Sequence, residues 1–118
     1  MLKKNVLRKK SDFDQLYKNG KSIGDRYVVL FFRKNGLTIN RTGFLASKKV
    51  GNSVKRNRAR RLMRESYRNM VDRLPKGYDL VMIARNTING RKCQEVEKSM
   101  ASSFKRAGLL ENRDEENR

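Results

Sequence analysis

Residues 48–68 read KKVGNSVKRNRARRLMRESYR, and the way this segment divides around a helix axis sets the architecture of the chain. Asn52 or Ser53 can cap a helix through a side-chain oxygen, and Pro75-Lys76-Gly77 stops one, which predicts a helix from Ser53 to about Leu74. At about 100° per residue, Ala59, Leu62, Met63, Tyr67, Met70 and Leu74 gather into one apolar stripe. Asn57, Arg60, Arg61, Arg64 and Arg68 gather into a separate band. The stripe requires a sheet to dock on, and the arginines are left together outside.

The strands for that sheet lie on either side. RYVVLFFR (26–33) is β-branched and aromatic, and alternation puts Tyr27, Val29, Phe31 and Arg33 on one face, with Val28, Leu30 and Phe32 on the other. Asn35-Gly36 predicts a hairpin connection, after which TGFLAS (42–47) pairs antiparallel with the first strand. DLVMIA (79–84) is a nearly unbroken apolar run, the pattern of a buried strand. Ser11, followed by Asp12 and Asp14, reads as the cap of a short helix ending at Asn19-Gly20. A last amphipathic helix spans 92–107, with Val96, Met100 and Phe104 at four-residue spacing. The expected order is α-β-β-α-β-α, an α/β fold of the α+β sandwich kind, with one small mixed sheet and helices packed on it. One domain covers residues 1–110, of which 1–10 form an extended basic arm, and 111–118 form a flexible charged tail.

Lys and Arg number 30 against 12 Asp plus Glu, a net charge of +18, which repels itself unless a polyanion relieves it. The chain has no His and one Cys, which excludes imidazole catalysis, His-ligated metal, an internal disulfide and a Cys-rich zinc site. No run is long enough for a membrane span or a signal core, so the expected compartment is the cytosol.

A cationic run is often just a solvated face, but here its distribution argues otherwise. Like charges at i, i+3 and i+4 cost a few tenths of a kcal/mol per pair, and Glu65 is the only carboxylate between Lys48 and Tyr67. Arginine's planar fork suits phosphate, and the helix amino terminus beside Lys55 and Arg56 adds free N–H groups. Phe13, Tyr17 and Phe31 have two readings, as core residues or as platforms for unpaired bases. Carboxylates for a protein-only nuclease are limited to Asp12 with Asp14 and Glu95 with Glu97, at i, i+2 spacing that does not face one way.

Arg56-Asn57-Arg58, preceded by Lys48-Lys49-Val50-Gly51-Asn52-Ser53-Val54-Lys55 and followed by Ala59-Arg60-Arg61-Leu62-Met63-Arg64, resembles the RNR motif of bacterial ribonuclease P proteins. Phe13-Asp14-Gln15-Leu16-Tyr17 with Gly20 resembles that family's first helix, and Tyr78-Asp79-Leu80-Val81-Met82-Ile83-Ala84-Arg85 its late strand. The resemblance implies that the strand after the long helix runs parallel to its neighbour, through a left-handed crossover. It implies a subunit of an endoribonuclease whose catalyst is a large RNA using magnesium, with no metal site assigned to residues of the protein and no obligate protein partner. That enzyme removes the 5′ leader of precursor transfer RNA. Lys48, Lys49, Lys55, Arg56, Asn57, Arg58, Arg60, Arg61, Arg64 and Arg68 would then face the catalytic RNA. Phe13, Tyr17 and Phe31, with Lys49 at the edge, would line a leader cleft as partly exposed stacking groups. Tyr17 stands where the family usually has Phe, and an aromatic ring is kept.

Overall fold

A strand apolar on both faces has no side to give to water, and 79–84 accordingly lies inside the sheet. The computed structural model describes residues 5–110, with helices α1 (Lys10–Asn19), α2 (Ser53–Arg68) and α3 (Cys93–Arg106) and strands β1 (Lys21–Gly24), β2 (Val28–Lys34), β3 (Arg41–Leu45) and β4 (Tyr78–Ala84). The sheet order is β1-β2-β4-β3. β1 adds a strand to the predicted order; it is short, mostly exposed and without apolar alternation, and is recruited by pairing with β2 from Lys21↔Phe32 to Gly24↔Val29.

The expected hairpin between the segments 26–33 and 42–47 is not formed. β4 inserts between them, antiparallel to β2 (Val28↔Ala84 to Lys34↔Tyr78) and parallel to β3 (Arg41↔Asp79 to Leu45↔Ile83). The parallel pair is the one the resemblance implies. Two-sided burial draws β4 to the interior, whereas β3 tolerates the edge. The 35–40 loop is instead laced to the start of β4: the Asn35 N–H donates to the Gly77 carbonyl at 2.8 Å, and Asn40 Oδ1 accepts the Tyr78 N–H at 2.9 Å.

Both faces of the sheet are used. α2 and α3 cover one, where Leu30, Leu80 and Met82 meet Met63, Met100 and Phe104. α1 packs on the other, through Leu16 against Val81. Ser11 lies within α1 rather than capping it; Lys9 occupies the cap position and makes no side-chain cap bond. Gly20 ends α1 where a Cβ would come within 2.5 Å of the Leu16 carbonyl oxygen, so no larger residue fits. Asn52 caps α2, accepting the Lys55 N–H at 3.0 Å. α2 stops at Arg68, short of Leu74; the chain continues through a 3-10 turn at Val71–Arg73 that still buries Met70 and Leu74.

The amino-terminal arm is not free where it is described. Leu7 is buried, its N–H donates to the Thr42 carbonyl, and the Thr42 N–H donates to the Asn5 carbonyl, each at 2.9 Å. The rest of the arm, residues 1–4, and the tail 111–118 lie outside the described residues.

Candidate nucleic-acid interface

Three aromatic rings form a row on the α1 face of the sheet. Phe13 and Tyr17 stand one turn apart on α1 with centroids 6.3 Å apart, and Tyr17 meets Phe31 of β2 edge-on at 5.0 Å. The row stays partly open because one ten-residue helix covers this face. Tyr17 is 42 % exposed, and Phe13 and Phe31 are half-buried. Burial, with the charge of Asp14 second, pushes the Tyr17 phenol above its ordinary value, so it remains a neutral hydroxyl. The three rings are thus neither wholly core nor wholly exposed: each packs one side and shows another.

An ion triad links α1 to the sheet. Arg41 grips Asp79 in a two-pronged pair, Nε to Oδ1 and Nη2 to Oδ2, both 2.8 Å, and reaches Asp12 of α1 at 3.3 Å. The Asp79 hydrogen bonds hold the Arg41 guanidinium above its ordinary value. Asp12 and Asp79 are thereby committed to a cation. Among the described residues no group of three or more Asp, Glu or Cys side chains comes together as a metal cluster.

On the opposite face, α2 sorts its cations into three directions. Asn57, Arg61 and Arg68 are exposed along the outer side, where Arg60 donates to Asn57 Oδ1 at 2.7 Å and Arg68 pairs with Glu65 at 3.2 Å. Arg64 leans toward β3, its guanidinium 5.6 Å from the Phe44 ring centre. Arg58 turns to α3 and donates to the Arg91 carbonyl at 2.7 Å. Arg56 is half-buried, its Nε enclosed with no acceptor among the described residues. At the amino end of α2 the Lys55 N–H is taken by the Asn52 cap, which leaves fewer N–H groups there for an anion.

Because β3 and β4 run parallel, their carboxyl ends share one edge of the sheet. Lys48 and Lys49 stand exposed on the loop leaving β3, whereas Arg85, which follows β4, donates to the Asp25 carbonyl at 3.1 Å on the β1–β2 side. The Arg64–Phe44 pair was missed in the sequence because it depends on how α2 crosses β3. The structure brings Phe13, Tyr17 and Phe31 together; Lys49 is exposed on the loop after β3, its N–H donating to Ser47 Oγ at 3.3 Å.

A family profile for ribonuclease P matches residues 1–108. The chain belongs to the ribonuclease P protein family. It is 47 % identical over 109 residues to the ribonuclease P protein component of Clostridium botulinum strain Langeland, covering 92 % of this chain and 98 % of that protein. It is 44 % identical over 105 residues to that of Pelotomaculum thermopropionicum, covering 89 % and 94 %. The solved RNase P protein of Staphylococcus aureus superposes with a TM-score of 0.82 at 28 % identity, over 92 % of this chain and all of that one. The Thermotoga maritima RNase P protein gives 0.78 at 32 % identity, over 91 % and 98 %. Membership makes this chain a protein subunit of an endoribonuclease of transfer-RNA processing. No helix among its described residues is long and apolar enough to cross a membrane.

Proposed function

We propose that the chain binds the catalytic RNA of ribonuclease P through the outer side of α2 and holds the 5′ leader of precursor transfer RNA on the row Phe13, Tyr17 and Phe31. The observation that carries this reading is the pairing of two surfaces on opposite faces of one sheet. One is an arginine band with little acidic compensation; the other is a row of rings left partly open by a short helix. The first suits an RNA backbone and the second suits unpaired bases. The RNA is the catalyst and holds the magnesium, while the protein, at +18, reduces repulsion between two polyanions. It works in the cytoplasm and contributes by binding and positioning.

Reconstitution with the catalytic RNA at low magnesium tests this. The protein is expected to restore leader removal there; equal activity with and without it refutes the proposal. Nuclease-treated protein alone should leave precursor transfer RNA intact.

A further inference from the structure

Among the described residues, the outer edge of β3 is open where it passes the arginine helix. Successive residues of a strand turn their N–H and C=O groups to opposite edges. Thr42 turns its pair outward, to Asn5 and Leu7 of the arm. Phe44, two residues on, turns its pair the same way, because β4 lies on the inner side of β3. The arm does not follow, since Lys9 already caps α1. Among the described residues no strand or bridge reaches this edge beyond Thr42.

The edge opens into a groove of about 240 Å³ lined by Leu7, Phe13, Gly43, Phe44 and Arg64. A Cβ on residue 43 would stand 3.3 Å from the Phe13 ring, so the bare glycine lets that ring rest against the strand. Open strand edges ordinarily recruit another strand. Here the available edge is a single residue, between the bridge at Thr42 and the end of β3 at Leu45. A second copy of a +18 chain is repelled, whereas the guanidinium at the rim attracts phosphate.

We propose that the outward N–H and C=O of Phe44, together with Arg64, form a site for one unpaired RNA nucleotide. The base edge, which carries adjacent donors and acceptors, pairs with the Phe44 backbone, and its phosphate meets Arg64. Phe13 belongs to both this groove and the aromatic row, so the site lies where RNA on the row crosses the sheet edge toward α2. The inference rests on the proposal that the row binds unpaired RNA.

The test is an NMR titration of the ¹⁵N-labelled full chain with an unstructured oligouridylate. The Phe44 amide proton should move downfield and exchange more slowly, together with a shift of the Arg64 Nε–H. Phe44→Pro removes an outward N–H at an edge position that accepts proline. It should weaken binding about fivefold more than Phe44→Ala, the size of one net hydrogen bond. An unmoved Phe44 amide beside shifted Phe13 and Tyr17 resonances overturns this site and spares the row. No shift anywhere overturns the row as well. A Phe44 amide already protected in the free chain also overturns the site: protection independent of dilution would mean that the chain fills the groove itself, and protection lost on dilution would mean a second copy does.

Discussion

Replacing Arg60, Arg61 and Arg68 together by Ala separates the electrostatic role of α2 from its structural one. Each phosphate neutralised on a duplex contributes about 0.9 to the slope of log affinity against log salt. Three contacts therefore account for a slope of about 2.7, and between 50 and 200 mM salt that is about a 40-fold difference in salt sensitivity between parent and variant. The fold should barely notice. Arg60 contributes one exposed bond to Asn57, and Arg61 is exposed. Arg68 gives up one exposed i,i+3 pair with Glu65, worth about 0.2–0.5 kcal/mol, offset by relief of like-charge repulsion of a few tenths of a kcal/mol per pair. At roughly 4 °C per kcal/mol for a domain of this size, the melting temperature should shift by only a few degrees. Fluorescence anisotropy with the catalytic RNA across a salt series reads the slope, and a thermal scan reads the fold. An unchanged slope would refute phosphate contact by these three arginines, and a fall in melting temperature beyond about 10 °C would make them structural.

Three further outcomes follow from the same geometry. Phe13→Ala should weaken leader-bearing transfer RNA about 5- to 150-fold, the range of one lost base stack, with little effect on mature transfer RNA; equal losses for both would remove Phe13 from the leader path. Arg41→Ala strands the Asp79 carboxylate, 5 % exposed, with Asn35 Nδ2 as its remaining side-chain donor at 3.0 Å. Breaking a fully buried pair costs about 3–5 kcal/mol, and the partial exposure of Arg41 reduces the expectation to about 2–3 kcal/mol; a loss below about 1 kcal/mol by urea denaturation would show that the triad does not hold α1. Burial raises the Tyr67 phenol above 10.0, only partly opposed by Asn40. The folded state therefore holds that proton longer than the unfolded state, and stability falls as pH rises above 10.0 through the folded value. Tyr67→Phe should flatten that alkaline loss relative to the parent; an unchanged slope would mean the phenol is not held neutral.

The sequence by itself determined the elements with a strong local period. The two-faced α2, the alternating β2 and the apolar run of β4 each carry their pattern in adjacent residues, and with them the cationic band of the motif. α3 is within a residue of its predicted bounds at both ends. Pairing was decided elsewhere. β3 follows β2 in the chain, and local chemistry around Asn35-Gly36 favours a hairpin; that preference is overruled by a strand whose Asp79, the register partner of Arg41, lies 38 residues further along the chain, and whose two apolar faces can be buried only inside the sheet. β1 and the Asn5–Leu7 segment have almost no pattern of their own and exist because edges elsewhere had donors and acceptors to satisfy. The division of the arginines is tertiary for the same reason. Helix geometry places them in a band, but neighbours on other elements, the Arg91 carbonyl and the Phe44 ring, decide that Arg58 braces α3 and Arg64 turns to the sheet edge. Periodicity is a property of consecutive residues and can be read in order, whereas partnership depends on which buried surface is larger and appears only when the layers close.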